Sequence, residues 1–326
     1  MLCLGIESTA HTVGVGIVDE KCRVLANESS AVSPKKGGIH PREAANHHAE
    51  NIVPLIHRAV EKSRVDLRDL DAIAFSIGPG LGPCLRTGAT AARALSLSLD
   101  KPLIGVNHCV AHLEIGRAAT GCKAPTLLYV SGGNTQVIAF AEGRYRVFGE
   151  TLDIGIGNFL DKFAREVGLG FPGGPFIEDL AMKGRRLLPL PYSVKGMDVA
   201  FSGMLTAALE HHEKGASLQN LCFSIQEVAF AMLTEVTERA MAHLDKDEVL
   251  LGGGVACNRR LKSMVSEMAR DRDAKLFVPQ PSLCVDNGAM IAWTGLLMNS
   301  AGLRLKLDDS VVNQRYRTDQ VDVTWV

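Results

Sequence analysis

The sequence lacks the features that mark secreted, membrane-spanning and disulfide-stabilised proteins. Its 326 residues include eight cysteines but no C-x-x-C pair, which favours reduced, buried thiols and a cytoplasmic protein over a disulfide framework. No apolar run reaches the roughly 20 residues that a membrane span needs. The N-terminus MLCLGIEST has neither a basic segment nor a cleavage motif. We therefore expect no secretory signal and no membrane partner.

The chain also lacks an excess of charge of either sign. The chain has 35 Lys and Arg against 36 Asp and Glu, a formal charge of −1. A free-standing nucleic-acid-binding protein is usually more basic, so any such partner requires a local patch or helper subunits. Basic clusters occur at Lys35–Lys36, at Lys183–Arg185–Arg186, at Arg259–Arg260–Lys262, and in the tail at Arg304, Lys306, Arg315 and Arg317. Each of these clusters by itself is typical of a solvated surface.

Two common nucleotide-binding motifs are missing. No stretch fits G-x-x-x-x-G-K-[ST], and no G-x-G-x-x-G opens a helix near the N-terminus, which argues against P-loop and dinucleotide folds. Glycine-rich turns nevertheless follow predicted strands, namely GPGLGP (78–83), SGGNT (131–135), GLGFPGGP (168–175) and LGGGVACN (251–258). Glycine lets backbone N–H groups approach an anion closely. Four such turns favour phosphate binding over tight turns and close packing alone.

A repeated pattern of elements runs through the chain. Residues 1–29 and 124–152 each alternate apolar runs with polar turns, which predicts three consecutive strands. The periodicity predicts helices at 40–63, 85–99, 217–244, 258–270 and 286–298, and strands at 71–78, 102–106, 248–254 and 275–279. Two βββ-αβαβα halves predict an α/β fold of two similar RNase H-like lobes. This topology resembles the actin, hexokinase and chaperone-ATPase (ASKHA) superfamily, which holds a nucleotide in a central cleft.

The same pattern suggests where the domains begin and end. We place the N-terminal lobe at 1–122, the C-terminal lobe at 123–300 and a tail at 301–326. The tail lacks helical periodicity, and its last residues QVDVTWV alternate polar and apolar side chains. They could form an edge strand, a docking tail or an ordinary frayed end.

The stretch GVNHCVAHLE carries the clearest metal-binding signal. His108 and His112 stand four residues apart, so a helix places both imidazoles on one face. Zinc peptidases use H-E-x-x-H, in which the Glu is the general base, but here Cys109 follows the first histidine. Asp286 and Tyr129 are candidates to complete a metal site. Asp286 could equally be only the N-cap of the last helix.

Taken together, the motifs resemble one family. GIESTAHTVGVGIV, KGGIHPREAANHHAENIVP, GPGLGP, GVNHCVAHLE, YVSGGNTQV, ETLDIGIGNFLDKFAREVGLGFPGGP, FSGMLTA, GGVACN and CVDNGAMIAWTG occur in this order. The chain is identified as a member of the tRNA threonylcarbamoyladenosine biosynthesis family, called TsaD in bacteria and formerly labelled an O-sialoglycoprotein endopeptidase. Bacterial members carry an Asp-Glu pair where this chain has His11 and Thr12. That difference points to the archaeal and eukaryotic branch, whose members are subunits of the KEOPS complex.

The resemblance implies a reaction and its partners. The threonylcarbamoyl group would pass from threonylcarbamoyl-adenylate to the exocyclic amine of the adenine beside the anticodon in ANN-decoding tRNAs. The chain would be the catalytic subunit of KEOPS, together with a small atypical protein kinase and a dimerisation subunit. It would also bind ATP or AMP. We expect the isolated chain to bind tRNA weakly at physiological salt, since its basic clusters are small.

The resemblance also implies site residues. One divalent ion per subunit, iron(II) or zinc, would be held by His108, His112, Tyr129 and Asp286. The adenylate would be held by Tyr129, Val130, Ser131, Gly132, Gly133, Asp161, Gly174, Glu178 and Asn258. Glu7 ends the first strand and faces the cleft by analogy with the superfamily, where it would orient a water, a metal or the incoming amine, or else have a structural role. His11, in the first turn, is the second candidate catalytic residue. Carboxylates at Asp161 and Glu178 suit ribose hydroxyls or adenine as donors.

Three other functions fit parts of the pattern. A metalloendopeptidase would use the histidine pair, but it lacks the Glu that activates water. A small-molecule kinase or ATPase on the same fold would usually place an Asp in its phosphate turns, whereas YVSGGNT has no carboxylate. A nucleotide-gated scaffold subunit would bind the same ligands without catalysing transfer.

Overall fold

The chain folds into two compact units. A computed structural model describes residues 1–32 and 38–326, so the basic pair Lys35–Lys36 lies outside the described residues. The first unit comprises Met1–Ala119, Glu142–Tyr145 and Asp286–Val326, and the second comprises Thr120–Ala141 and Arg146–Val285. Within the described ranges, no helix has the length and apolar character that crossing a bilayer requires. All eight cysteines are free thiols, and most of them are buried.

The first unit is built on a five-stranded sheet. In chain order its elements are β1 (Leu2–Glu7), β2 (Thr12–Asp19), β3 (Val24–Ala31), α1 (Pro41–Ser63), β4 (Ala72–Gly78), α2 (Gly82–Leu99), β5 (Leu103–Asn107) and α3 (His108–Thr120). The strands lie in the order β3-β2-β1-β4-β5. Strands β1, β4 and β5 are parallel. Glu7 at the end of β1 and His108 just after β5 therefore lie at the same edge of the sheet.

The second unit repeats this arrangement. Its elements are β6 (Thr126–Val130), β7 (Thr135–Ala141), β8 (Arg144–Glu150, whose first two residues belong to the first unit), α4 (Ile156–Glu166), α5 (Gly173–Ala181), β9 (Val194–Lys195), β10 (Asp198–Val199), α6 (Ser202–Glu213), α7 (Leu218–His243), β11 (Glu248–Gly252), α8 (Arg259–Asp271), β12 (Lys275–Phe277) and α9 (Pro281–Cys284). The five long strands lie in the order β12-β11-β6-β7-β8. Each sheet thus has three consecutive strands flanked by two later ones. The mixed α/β class and the two similar lobes are confirmed.

The last helix, α10 (Gly288–Ser300), belongs to the first unit although it follows the second along the chain. It packs on β1, β2 and β4. A methyl group at Gly5 would overlap the backbone of Ala292, and one at Gly16 would overlap that of Ala289. Only glycine lets the helix backbone lie this close to the sheet. This contact fixes the position of Asp286, which precedes α10 by two residues. The predicted domain bounds remain a prediction.

The C-terminal tail docks on helix α3 of the same unit. No strand forms over residues 321–326. Instead the indole Nε1 of Trp325 donates to Oε1 of Glu114 at 2.8 Å, and Tyr145 donates its hydroxyl to the same oxygen. Arg117 donates to the other carboxylate oxygen at 3.0 Å. Burial and the Glu114 charge raise the pKa of Tyr145, so its hydroxyl stays protonated. Of the three sequence alternatives, the docking tail is the one observed.

We expect Trp325→Phe to loosen the tail. Loss of one hydrogen bond to a buried carboxylate should lower the local free energy of opening by about 1–2 kcal/mol. Amide hydrogen exchange over residues 318–326 should then rise roughly tenfold. Trp293→Phe is the matched control, because no described residue accepts a hydrogen bond from the buried Trp293 Nε1. Equal exchange of the tail in the two variants would contradict this account.

Candidate functional site

Two buried histidines and one partly buried aspartate converge in the first unit. Helix α3 begins at His108, so His108 and His112 lie one turn apart on one face, with ring centroids 4.8 Å apart. Oδ1 of Asp286 is 3.4 Å from Nε2 of His108 and 3.2 Å from Nε2 of His112. The three ligand atoms all lie within 4.8 Å of one another. This is a donor set of two imidazole nitrogens and one carboxylate oxygen.

The ionisation states of these groups suit a metal ion. Burial lowers the pKa of His112 below its ordinary value, which favours the neutral imidazole that can ligate. Burial by itself would raise the pKa of Asp286, but the two histidines outweigh it and hold that pKa well below the usual range. Since ligands bind in their deprotonated forms, the lowered pKa values of His112 and Asp286 both favour binding of a cation. The three side chains therefore fit one divalent ion.

Asp286 does not cap helix α10, so its carboxylate is free to face the two histidines. The residue that caps α10 is Asn287, whose Oδ1 accepts from the backbone N–H of Met290 at 2.9 Å. The capping alternative for Asp286 is thus excluded, and its carboxylate faces the histidines instead. Likewise Asn107 Oδ1 accepts from the N–H groups of Cys109 and Val110, which sets the start of α3 at His108. The sequence analysis missed Asn107, although an Asn before a helical run is a common capping signal.

Glu7 contacts the Nδ1 atom of His108, while the Nε2 atom of the same ring faces Asp286. Its side chain is fully buried, and its Oε2 lies 2.9 Å from Nδ1 of His108. The other oxygen, Oε1, accepts from the backbone N–H of Thr9 at 2.7 Å and from the Thr9 hydroxyl. A carboxylate at this distance places the ring proton on Nδ1, so Nε2 turns toward Asp286 with its lone pair. The sequence analysis missed Thr9, although a Thr two residues after a buried carboxylate is a recognisable turn signal.

Three other residues, His11, His48 and Cys109, have defined surroundings. His11 lies in the turn between β1 and β2, where its carbonyl accepts from Val32 N–H at 2.9 Å. Burial first, and then His47 and His11, lower the pKa of His48 to about 4. Cys109 is buried, and burial raises the pKa of its thiol to about 11. A protonated thiol cannot take the place of the Glu in a zinc-peptidase helix.

In the second unit, the turn from Tyr129 to Gly133 meets the start of helix α4. Tyr129 and Val130 end strand β6, and both are fully buried. The carbonyl of Ser131 accepts from Gly157 N–H at 3.0 Å, and that of Gly132 accepts from Asn158 N–H at 2.9 Å. A side chain at Gly133 would meet no atom within 4 Å. The turn is therefore held by α4 on one side and open on the other.

Asp161 and Gly174 meet at the N-terminus of helix α5. Oδ1 of Asp161 accepts from Gly173 N–H at 2.7 Å, which joins α4 to α5. A methyl group at Gly174 would again meet nothing within 4 Å. A helix N-terminus beside open space is a favourable place for an anion.

Glu178 and Asn258 meet at the N-terminus of helix α8. Oε1 of Glu178 accepts from Arg259 N–H at 3.0 Å and from Arg259 Nε at 2.8 Å. Asn258 caps α8 through bonds from Arg260 N–H and Leu261 N–H, and its Nδ2 donates to Gln226 at 2.6 Å. The Asn258 side chain is thus committed to the helix cap. Its oxygen is therefore occupied, whereas its NH2 group carries a second hydrogen beside the one given to Gln226.

The glycine turns after β6 and β11 are neighbours. These strands are parallel, and Gly252 is paired with Tyr129. Gly253 has φ +91°, and a methyl group there would overlap the carbonyl of Val130. The left-handed backbone and the close approach both require glycine. The predicted adenylate residues thus gather at one edge of the second sheet. Tyr129 belongs to this unit, and its role as a fourth metal ligand stays a prediction.

Comparison with known proteins decides the family. The model of the TsaD family, described as tRNA N6-adenosine threonylcarbamoyltransferase, matches residues 23–293. The chain belongs to the TsaD family. A tRNA N6-adenosine threonylcarbamoyltransferase of Thermococcus kodakarensis is 59% identical over 326 residues, which is the whole of both chains. The resemblance seen in the sequence is confirmed, and the TsaD family is a family of transferases.

Other members of the TsaD family are longer. A "Probable bifunctional tRNA threonylcarbamoyladenosine biosynthesis protein" of Methanothermobacter thermautotrophicus is 61% identical over all 326 residues, and this chain spans 61% of its length. Two solved structures share the fold at low identity. HypF of T. kodakarensis has TM-score 0.67 at 15% identity, covering 95% of this chain and 49% of HypF. The activator of 2-hydroxyisocaproyl-CoA dehydratase of Clostridium difficile has TM-score 0.56 at 11% identity, covering 93% and 97%.

Proposed function

We propose that this chain transfers the threonylcarbamoyl group from threonylcarbamoyl-adenylate to the exocyclic amine of the adenine beside the anticodon in ANN-decoding tRNAs. The observation that carries the proposal is the clustered His108–His112–Asp286 set in a chain of the TsaD family. The relatives' names support the same transfer, because the full-length Thermococcus relative is named for it. We propose further that the chain acts as the catalytic subunit of KEOPS in the cytoplasm, with a small atypical protein kinase and a dimerisation subunit.

The proposed role of His108, His112 and Asp286 is to hold a cation that stabilises charge on the substrate, and none of the three acts as a nucleophile. His108, His112 and Asp286 would hold one divalent ion, and imidazole with carboxylate suits iron(II) or zinc. When bound, such an ion supplies a Lewis acid that polarises a carbonyl or steadies phosphate and carboxylate oxygens. Glu7, through its contact with Nδ1 of His108, would keep Nε2 of that ring available as the ligand atom. The donor is an activated mixed anhydride, so the adenine amine can attack its carbamoyl carbon directly. AMP leaves with the electrons of the broken C–O bond, and the proton lost by the amine passes to the released phosphate or to water.

The second unit would hold the adenylate. The open backbone at Gly133 and Gly174 leaves room for a phosphate or a ribose against N–H groups. Asp161 and Glu178 would accept hydrogen bonds from ribose hydroxyls or from adenine. ATP or AMP would occupy the same residues. This assignment rests on the family pattern together with these local contacts.

A reconstituted reaction tests the function. The chain, loaded with iron(II) or zinc, is mixed with threonylcarbamoyl-adenylate and unmodified tRNA, with and without its partner subunits. Digestion of the tRNA and mass spectrometry of its nucleosides should show threonylcarbamoyladenosine. No modified nucleoside with all subunits and metal present would contradict the proposal. Nucleotide binding without transfer, even with partners, would favour the scaffold alternative.

The peptidase and kinase alternatives find less support. Glu7 is the carboxylate next to His108, but its two oxygens already accept from His108 and Thr9, so it is not placed to activate water. Cys109 is protonated and buried. The kinase alternative finds no carboxylate in the Ser131–Thr135 turn. The family match favours the transferase over both.

A further inference from the structure

The described basic clusters differ in how well they are neutralised. Arg259 pairs with Glu178, and Arg260 pairs with Glu227. In the tail, the four cations are matched by four acids, Asp308, Asp309, Asp319 and Asp322. By contrast, no described residue forms an ion pair with Lys183, Arg185 or Arg186, and residues 182–192 contain no acid. The second unit therefore keeps one uncompensated basic segment.

The backbone of this segment is fixed. Asn220 Oδ1 accepts from the N–H groups of Arg185 and Arg186 at 3.0 and 3.1 Å. Ser224 accepts from Leu188 N–H at 2.8 Å, and Gly184 packs directly on helix α7. The backbone polar groups thus bond to α7 while the basic side chains stay exposed. A segment with a rigid backbone and exposed cationic side chains loses less conformational entropy on binding an anion than a flexible segment does.

The segment lies next to the proposed adenylate residues. It continues directly from helix α5, which carries Gly174 and Glu178 and, with 9 residues at 1.5 Å each, is about 13.5 Å long. Phe176 on α5 is 44% exposed, and Met182 and Leu187 are exposed beside the cations. Arginine guanidinium groups bind phosphates, while exposed aromatic and apolar side chains accept stacked bases. A single-stranded RNA loop presents both of these features.

We propose that Lys183, Arg185 and Arg186 form the surface on which this chain binds the phosphates flanking the adenine that reacts. The proposal rests on the proposed function, since it takes tRNA as the substrate. It goes beyond that function by assigning the contact to one of the basic clusters. RNA is favoured over an acidic protein or membrane because the segment continues from helix α5, which carries the proposed donor-site residues and the exposed aromatic ring of Phe176.

The test is Arg185→Ala/Arg186→Ala in the full-length chain. Lys195→Ala/Lys275→Ala is the matched control, since it removes the same charge from exposed positions of the same unit. Binding of unmodified tRNA is measured by fluorescence anisotropy from about 50 mM salt upward. We expect about tenfold weaker binding, and a slope of log K against log salt reduced by about 1.4, because each phosphate contact to a single strand contributes about 0.7. The control should match the wild type.

Further measurements separate this proposal from the proposed function. In the reconstituted reaction the double variant should raise the KM for tRNA while kcat and AMP binding stay unchanged. Arg185→Lys/Arg186→Lys should restore the salt slope, since charge is retained. Equal tRNA binding by variant and control would overturn the surface even if the wild type catalyses transfer. So would binding of phosphatidylserine vesicles in place of tRNA, or no tRNA binding by the wild type at 50 mM salt. Absence of transfer by the wild-type complex would instead overturn the function.

Discussion

His108→Ala should abolish both metal binding and transfer. The variant loses one of the donors that lie within 4.8 Å of one another and leaves the carboxylate of Glu7 buried opposite a void. We expect the metal content to fall from about one ion per chain to under about a tenth. Loss of the several kcal/mol that a Lewis acid contributes should slow transfer on the order of a thousandfold. Elemental analysis of the purified protein and the tRNA transfer assay measure the two quantities.

His57→Ala provides the matched control for this variant. His57 is exposed on helix α1 of the same unit, so its removal deletes an imidazole without touching the site. Metal content and transfer should stay at wild-type levels. Unchanged metal content and rate in His108→Ala would refute the metal assignment. Circular dichroism must show that the His108→Ala chain is folded before its metal content and its transfer rate are compared with those of the wild type.

Glu7→Gln should weaken metal binding while the chain stays folded. The amide is nearly isosteric, but its NH2 group would face either the Thr9 donors or the Nδ1–H of His108. One donor–donor contact is then unavoidable, and His108 loses the partner that fixes its tautomer. Removing such a partner typically reduces metal affinity about 10–100-fold. Competition with a chelator measures this loss, and excess metal should restore most of the transfer rate.

Glu61→Gln, at an exposed position on α1, is the control and should leave metal affinity unchanged. The spectrum of the cobalt-substituted protein gives a second measure that does not depend on activity. We expect Glu7→Gln to shift the ligand-field bands, since the orientation of a ligand changes. A Glu7→Gln variant that loses activity but keeps normal metal affinity and an unchanged spectrum would show that Glu7 does not act by orienting His108.

Local patterns in the sequence were enough to predict most elements. Helix α7 (Leu218–His243) and the predicted span 217–244 agree to within a residue, because the apolar period is sustained over many turns. The H-x-x-x-H spacing placed both imidazoles on one face of α3, because helical geometry relates residues four apart. The family motifs identified the reaction class. These features depend on residues close together in the chain, so sequence alone could determine them.

Contacts between distant residues required the tertiary structure. The sequence left Asp286 open between helix cap and metal ligand. The packing of α10 on the glycines of β1 and β2 places Asp286 beside His108 and His112, and Asn287 caps the helix. Glu7 faces His108 only because β1 and β5 are parallel strands of one sheet. Basic clusters that look alike in sequence also differ once acids from other helices pair with Arg259 and Arg260. Sequence fixes local periodicity and chemistry, whereas charge pairing and the choice between cap and ligand depend on residues that only folding brings together.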